Sequence, residues 1–253
     1  MVKVTVNRND FQSFLMSFAK DLNDLRIACS GAFLTVEVAY ANHYLRKRFP
    51  VETGAIEEEG FIHIALMDKF LKFIKASKQT NITLRQTAPV KPLHIDAGGN
   101  RLQIPSTDDI ESFAKVNAMG RVISACIDSN FTVFYKSPLS AHGSISDTKD
   151  LISLAGMRKV IADNAQFKVR THCGENEFGI VAGKAASGRL FTTLPITDTD
   201  GPSATIQSNF GEWLPVCLMY LDEGTARFHM GDGTPLIFDQ TNTLLVVIDE
   251  GDE

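Results

Sequence analysis

The chain opens with an alternation of apolar and polar residues and then changes to a helical spacing. Residues 2–6 alternate valine with polar residues, which is typical of a strand with one buried face. From Phe11 onward, apolar residues recur at intervals of three and four, which predicts a helix with one buried face. Asn9 or Asp10 is the predicted N-cap, because a side-chain oxygen there can accept a hydrogen bond from an early backbone N–H.

The same two periods continue along the chain and predict many strands and few helices. In the first half the predicted strands are 2–6, 25–30, 33–39, 43–51, 60–65, 81–86, 93–96 and 101–105, with a second helix at about 66–76 that buries Leu66, Phe70, Phe73 and Ile74. In the second half the predicted helices are 148–162 and 212–221, and the predicted strands are 167–172, 178–183, 189–195, 204–208, 226–230, 236–238 and 244–248. The order of elements is therefore similar in the two halves.

A weak internal repeat supports this duplication. Pro92–Asp96 recurs as Pro235–Asp239 at an offset of 143 residues, and the same offset places Lys69–Leu71 on Glu212–Leu214. We therefore predict an α+β protein made of two tandem copies of one domain, each with two helices packed on antiparallel sheets.

The predicted boundaries follow from the repeat. The first domain covers 1–108, a connector covers 109–140, and the second domain covers 141–253. The connector is long for a compact protein, and long connectors are usually functional or flexible. It carries two strand-like pieces, 122–127 and 131–135, whose place in the fold stays open.

Composition restricts the classes of protein that fit. The chain has 253 residues, a hydrophobic fraction of 44% and a formal net charge of −5, which is typical of a globular protein and argues against one that coats itself with nucleic acid. No apolar run is long enough to predict a membrane span, and residues 1–6 do not resemble a signal peptide, so we expect a cytoplasmic protein. The four cysteines are scattered, which favours buried reduced thiols.

The usual motifs of enzymes and cofactor sites are not found. The sequence has no phosphate-binding G-x-x-x-x-G-K-[ST], no G-x-G-x-x-G opening a helix, no H-E-x-x-H and no G-x-S-x-G. His172 and Cys173 are adjacent, but neighbours on a strand point to opposite faces and make a poor metal site. We therefore predict no catalytic residue, no metal and no cofactor. An enzyme whose active site assembles only in three dimensions stays open as an alternative.

The stretch from Gly60 to Ser106 resembles a domain of the DNA sliding clamps. Its residues run from Ile62–Ile64 into the helical segment Asp68–Ile74, then through Asn81–Leu84 to Asn100–Pro105. The order of elements over nearly the whole chain is also similar to that family, which includes the bacterial beta clamp, proliferating cell nuclear antigen and the phage clamps. The resemblance implies a processivity factor without catalysis of its own, and the low similarity to cellular clamps favours a phage protein acting in the host cytoplasm.

The resemblance also implies an oligomer. Rings of the family contain six domains, so a subunit with two domains implies a homotrimer closed by head-to-tail contacts. Edge strands of the two domains pair across the subunit boundary in this family, and 101–107 and 189–194 are the candidates here. The implied interface residues are Leu102, Ile104, Leu190 and Thr192. A clamp-fold subunit that acts as a monomer or in a hetero-oligomer stays open as an alternative.

In the family the helices line the hole through which duplex DNA passes, so outward-facing lysines are the candidate DNA contacts. Phosphate contacts from lysine attract DNA without reading its sequence. The candidates are Lys20, Lys69, Lys72, Lys75, Lys78, Lys149 and Lys159. Ordinary solubilising lysines on an exposed helix face would explain the same residues. The predicted helix at 212–221 has no basic residue and carries Glu212, which counts against a DNA-facing role there.

Family members also bind peptide tails of polymerases in an apolar groove beside the connector and the C-terminus. The residues that match this position are Val122, Pro235, Val247 and Ile248. A buried last strand followed by an acidic end would explain these residues without a groove. The partners that the resemblance implies are duplex DNA, a DNA polymerase, an ATPase that loads the clamp and further copies of the same chain, without a membrane.

Overall fold

The structure is a computed structural model that describes residues 1–18, 25–106, 110–157, 166–182 and 190–249, apart from the side chains of 110–112, 155–157 and 190. The helices are α1 Arg8–Met16, α2 Met67–Ala76, α3 Ile110–Asp128, α4 Lys149–Met157 and α5 Leu214–Leu218. The first nine strands are β1 Val2–Asn7, β2 Leu25–Ser30, β3 Phe33–Ala39, β4 His43–Pro50, β5 Ile56–Glu58, β6 Gly60–Ile64, β7 Asn81–Gln86, β8 Leu93–Ala97 and β9 Asn100–Ile104. The others are β10 Val133–Phe134, β11 Ser137–Pro138, β12 Ala141–Ile145, β13 Phe167–His172, β14 Glu177–Ala182, β15 Leu190–Asp200, β16 Ile206–Phe210, β17 Ala226–Met230, β18 Leu236–Asp239 and β19 Thr243–Val247.

The chain forms two compact units. Unit 1 consists of 1–37 and 46–113, and unit 2 consists of 38–45 and 114–253. Each contains a pair of helices and antiparallel strands, α1 with α2 in unit 1 and α4 with α5 in unit 2. The predicted α+β class is confirmed. The predicted division at 108 and 140 stays a prediction.

In unit 1 an antiparallel sheet has the strand order β5-β1-β7-β8-β9. The valines of β1 are buried and its polar residues are not, as the alternation predicts. Helix α1 begins at Arg8, and Asn7 is its N-cap, with its side chain accepting from the backbone N–H groups of Asn9 and Asp10 at 3.0 and 3.3 Å. The prediction of Asn9 or Asp10 as N-cap was therefore wrong by two to three residues, because Asn7 both ends the strand and caps the helix.

In unit 2 the strands follow the order β16-β13-β14-β15-β12-β17-β18-β19. Strand β19 is buried along its whole length, since it is covered on both faces. Strand β12 was missed by the sequence prediction because glycine and polar residues weaken its pattern. Gly143 is required there, since a Cβ atom would lie 2.7 Å from the ring of Phe228 on β17.

The connector differs most from its prediction. Residues 122–127 belong to helix α3 and not to a strand. The buried positions Val116, Ile123 and Cys126 have helical spacing, which becomes visible only when the segment is read together with the residues before 122. Of the second predicted piece, only Val133 and Phe134 form a strand.

Candidate nucleic-acid and partner surfaces

Helix α2 presents a row of lysines on its outer face. Its inner face buries Met67, Phe70 and Ile74, and the ring of Phe70 contacts that of Phe11 on α1 with 6.3 Å between centroids. Phe73 is only half-buried, and Leu66 lies outside the helix as its exposed N-cap, so the predicted buried set was partly wrong.

The row consists of Lys69, Lys72 and Lys75, which we call the lysine face, and all three are exposed. Lys78 is also exposed, two residues after the helix ends. Lys72 lies 4.0 Å from Asp68, but both side chains are at least 80% exposed, so the pair neutralises little charge. The lysine face therefore concentrates positive charge in a chain whose net charge is −5.

A fifth cation of this helix pair has a structural role. Arg8 donates through Nη1 to the carbonyl oxygen of Ser77 at 2.7 Å and to that of Ile74 at 3.5 Å. These carbonyls lie at the C-terminal end of α2, where the helix dipole favours a cation. Arg8 thus fixes α1 to α2 and supports the helix that carries the lysine face.

The helix pair of unit 2 has a different surface. Lys149 lies 3.9 Å from Asp147 and 3.7 Å from Glu223, so acidic side chains surround this predicted DNA contact. Residues 190–226 contain five acidic residues and no lysine, arginine or histidine. Lys20 and Lys159, which were also predicted as DNA contacts, lie outside the described residues.

Helix α5 and its two cap residues carry apolar side chains where α2 has its lysines. Its buried residues Leu214 and Leu218 correspond to Phe70 and Ile74 at an offset of 144. The same offset places the lysine face on three residues that are exposed or half-buried: Trp213, Val216 and Met219. The predicted offset of 143 was wrong for this helix by one residue, which is about 100° around the axis. We call these three residues the apolar stripe.

The predicted partner-binding residues do not share one surface. Val122 and Ile248 are partly buried against a cluster formed by α3, the β10–β11 hairpin, β18, β19 and Tyr44. Val247 is buried and lies on the opposite face of β19, since neighbours on a strand alternate. Pro235 is half-buried just before β18. Val122, which lies on α3, and Ile248 thus pack against the same cluster.

Two strand edges fit the predicted subunit interface. Strand β9, which carries Leu102 and Ile104, is an edge strand of the sheet of unit 1. Strand β15 pairs with β14 from Leu190 to Pro195, while its register with β12 begins only at Ile196. Over residues 190–195, which include Leu190 and Thr192, the side of β15 away from β14 therefore carries no strand in the described part of the chain.

A third edge, on β16, is closed by the chain itself. Gly233 donates to the carbonyl oxygen of Gln207 at 3.1 Å, and the carboxylate of Asp232 accepts from the Gln207 N–H at 3.1 Å. Asp249 accepts from the N–H of Asn209 at 2.8 Å. Because these groups occupy the outer hydrogen bonds of β16, this edge is blocked against another strand.

The sequence analysis missed a pair of histidines in unit 2, of which His229 is buried and His142 is half-buried. His142 and His229 lie opposite each other on β12 and β17, with 2.8 Å between their Nδ1 atoms, and Phe131 stacks on His229 with 4.3 Å between centroids. Burial lowers the pKa of His229 to about 3, with smaller contributions from His142 and Arg227. Burial also lowers the pKa of His142, although Asp200 opposes this. Both rings are therefore neutral near pH 7.

Among the described residues, no other group of side chains suggests a catalytic or metal-binding site. No set of three or more histidine, cysteine, aspartate or glutamate side chains among them could hold a metal ion. All four cysteines are free and buried, and burial raises the pKa of Cys29 and Cys217 to about 12. No helix in the described ranges is long and apolar enough to cross a membrane.

Solved structures of sliding clamps share this architecture. The Helicobacter pylori beta clamp, solved with Carprofen, superimposes with a TM-score of 0.72 at 14% identity over 99% of this chain and 64% of that one. The A. fulgidus PCNA, solved with the C-terminal region of FEN-1 bound, gives a TM-score of 0.67 at 14% identity, covering both chains completely. The chain has the sliding-clamp fold.

Comparisons at the level of sequence do not assign the chain to a family. No family model matches the chain, and no curated protein matches it. The same H. pylori clamp bound to a DNA ligase peptide is 15% identical, with a TM-score of 0.70 over 99% of this chain and 67% of that one. The chain thus spans about two thirds of the beta clamps and the full length of the A. fulgidus PCNA. The sliding-clamp fold predicted from the sequence is confirmed.

Proposed function

We propose that this protein is the subunit of a DNA sliding clamp. Three copies form a ring around duplex DNA, hold it without sequence specificity and tether a replicative DNA polymerase. The protein has no catalysis of its own, and an ATPase opens the ring for loading because a closed ring cannot thread internal DNA. It acts in the cytoplasm, which is that of the host if the source is a phage.

The lysine face is the observation that carries this proposal. A clamp has to attract phosphates without binding any base, and lysines on a rigid helix do this without supplying a sequence-specific contact. Lys69, Lys72 and Lys75 are exposed on one face of a helix that is held by Phe70 and Arg8. The fold shared with the clamps gives this face its proposed position at the hole.

The strand edges support a trimer. Pairing of β9 of one subunit with the 190–195 part of β15 in the next would join unlike surfaces and close a ring. Such pairing would also satisfy two edges that otherwise invite aggregation. The blocked edge at β16 leaves β15 as the better candidate in unit 2.

The proposed partner site lies near α3 and β19. Two of the similar structures hold peptides, one from a DNA ligase and one from FEN-1. Val122 and Ile248 pack against one cluster, and Pro235 directly precedes β18, which contributes Ile237 to it. A weak peptide contact there would still raise processivity, since tethering increases the effective concentration of the polymerase.

Mass measurement tests the trimer. Light scattering should give about three times the chain mass of 27.8 kDa. Leu102→Asp should dissociate the ring, because it places a charge at the β9 edge, while Val90→Asp on an exposed residue of the same unit should not. A stable monomer of the unmodified protein would contradict the ring and favour a clamp-fold subunit that acts without one.

A comparison of circular and linear DNA tests whether the ring encloses the duplex. Protein loaded on closed circular DNA by a loader ATPase should remain bound in high salt, and cutting the circle should release it. Equal retention on circular and cut DNA would show that the protein binds without enclosing the duplex.

A further inference from the structure

Phe191 lies exposed on the part of β15 that has a free edge. Its side chain is 58% exposed, more than that of any other phenylalanine in the described ranges. An apolar side chain beside an unpaired strand edge invites aggregation, and proteins usually protect such edges with charged residues or a covering element. The edge and the ring therefore need a common cover.

Two other exposed phenylalanines each lie under an arginine. The guanidinium carbon of Arg48 lies 5.8 Å from the ring centre of Phe33, and that of Arg26 lies 5.0 Å from the ring centre of Phe61. A cation over the face of a ring is attracted by the negative charge of the ring face. Among the described residues, no cation lies over the ring of Phe191. This ring is thus available to a cation of a partner.

A depression on the exposed face of the unit 1 sheet offers such a cation. It has a volume of about 540 Å³, lies beside the free edge of β9 and is lined by side chains that include Arg85, His94, Asp96, Arg101 and Gln103. Arg101 is 82% exposed, and its Nε donates to the carboxylate of Asp96 at 3.2 Å. An exposed ion pair of this kind adds little stability. It orients the guanidinium, whose planar face can still stack on an aromatic ring.

The alternation of side chains limits how the two edges can join. On β9, Arg101 and Gln103 are exposed, whereas Ile104 is buried and Leu102 is half-buried. In a continued sheet, side chains on the same face adjoin, so Phe191 comes to lie beside Arg101 or Gln103. Only Arg101 supplies a cation. A slip of two residues would replace it with Gln103, and a slip of one would turn Phe191 to the buried side.

We propose that Phe191 of one subunit seats in the depression on unit 1 of the next, with its ring against the guanidinium of Arg101. This contact fixes the register in which β15 and β9 join. The inference rests on the proposed ring, and it adds an anchor residue that the sequence analysis placed in no site. The depression is complete only when a second copy of the chain supplies the ring of Phe191.

Disulfide formation between two single variants reads the register directly. Co-expressed Phe191→Cys and Arg101→Cys chains should form a covalent dimer on mild oxidation, because residues opposite each other on paired strands have Cβ atoms about 4.5–5.5 Å apart. Phe191→Cys with Gln103→Cys is the matched control. It should give on the order of fivefold less dimer, because diagonal neighbours about 7–8 Å apart are beyond disulfide reach. The four native cysteines are free and buried, so they add little background on a non-reducing gel.

The anchor itself is tested by removing the ring. Phe191→Ala should raise the concentration at which the trimer dissociates on the order of tenfold, because the ring loses both the depression and the guanidinium. Phe61→Ala removes another exposed ring that lies under an arginine and should change this concentration by less than about twofold. Arg101→Ala should add little to Phe191→Ala, since both remove the same contact. Sedimentation over a dilution series measures dissociation, and thermal unfolding checks that every variant is folded.

Three outcomes would overturn the inference, and they separate it from the ring. Preferential cross-linking of Phe191→Cys to Gln103→Cys would reject the contact with Arg101. Unchanged dissociation of Phe191→Ala in a protein that is otherwise trimeric would reject the anchor and leave the ring standing. A monomeric unmodified protein would overturn the ring and this contact together.

Discussion

Helices α2 and α5 occupy matching places in the two units, and their outer faces carry opposite kinds of residue. The first has Lys69, Lys72 and Lys75, and the second has the apolar stripe with acidic neighbours. The buried faces agree in character, since Phe70 and Ile74 match Leu214 and Leu218. The comparison shows that packing constrains the inner face of a repeated helix, while the outer face can differ in charge and polarity between the units.

The largest expected effect comes from removing the lysine face. Lys69→Ala, Lys72→Ala and Lys75→Ala together should lower affinity for duplex DNA on the order of a hundredfold at low salt. The slope of log affinity against log salt should also fall by about 3, because each lysine that releases a counterion contributes about 0.9. Fluorescence anisotropy with labelled duplex DNA over a range of salt concentrations measures both quantities.

The matched control removes three exposed lysines elsewhere. Lys91→Ala, Lys136→Ala and Lys168→Ala change the net charge equally at sites away from α2. If this control lost as much affinity and slope as the first variant, net charge and not the lysine face would govern DNA binding.

The next largest effect is expected in the stability of unit 2 at acid pH. His229 is neutral in the folded protein because burial lowers its pKa to about 3, whereas an unfolded histidine takes up a proton near pH 6.5. Its contribution to stability is therefore complete above pH 6.5 and is lost as the pH falls from there toward 3. Unit 2 should lose about 1.4 kcal/mol between pH 7.5 and 5.5 from this residue. Urea unfolding followed by Trp213 emission measures it.

Variants at two histidines test the cause. His229→Phe keeps an aromatic ring for Phe131 to stack on but cannot take up a proton, so its stability should depend less on pH over this range. His94→Phe, on an exposed residue of unit 1, should leave the dependence unchanged. An unaltered pH dependence in His229→Phe would assign the acid sensitivity to other groups.

The sequence was sufficient to predict the features that depend on the periodicity of residues within one helix or strand. Lysines at three-residue spacing opposite Phe70 identified the face of α2 without the structure. The strands with clear alternation, such as β1, were also found. In each case the pattern is complete within one element, so local periodicity is sufficient.

Most of the features that the sequence did not predict depend on how distant segments of the chain align or pair. The apolar stripe was hidden because an offset of 143 aligned Trp213 with buried Phe70, and only burial showed that 144 is correct for this helix. The pairing of His142 with His229 joins residues that are 87 positions apart and depends on strand order. Helix α3 was missed because residues 122–127, taken alone, are a short and mostly apolar run, which fits a strand as well as a helix.

A smaller effect is expected when the face of α5 is converted to that of α2. Val216→Lys with Met219→Lys places two lysines where the fold already holds exposed or half-buried side chains. Affinity for duplex DNA should rise about fivefold, and the salt slope should steepen by less than 2, because the nearby carboxylates remain. Ala204→Lys with Thr205→Lys adds the same charge at exposed positions of unit 2 and should give less gain in the same anisotropy measurement. An equal gain would mean that added charge acts wherever it lies.

The smallest effect is expected at Lys149, although the sequence placed it among the DNA contacts. Its ammonium group lies within 4 Å of the carboxylates of Asp147 and Glu223, so the local charge stays negative with the lysine present. Lys149→Ala should therefore change DNA affinity less than twofold and leave the salt slope unchanged, while Lys72→Ala should lower both. Comparable losses from the two single substitutions would show that DNA contacts both helix pairs despite the carboxylates around Lys149.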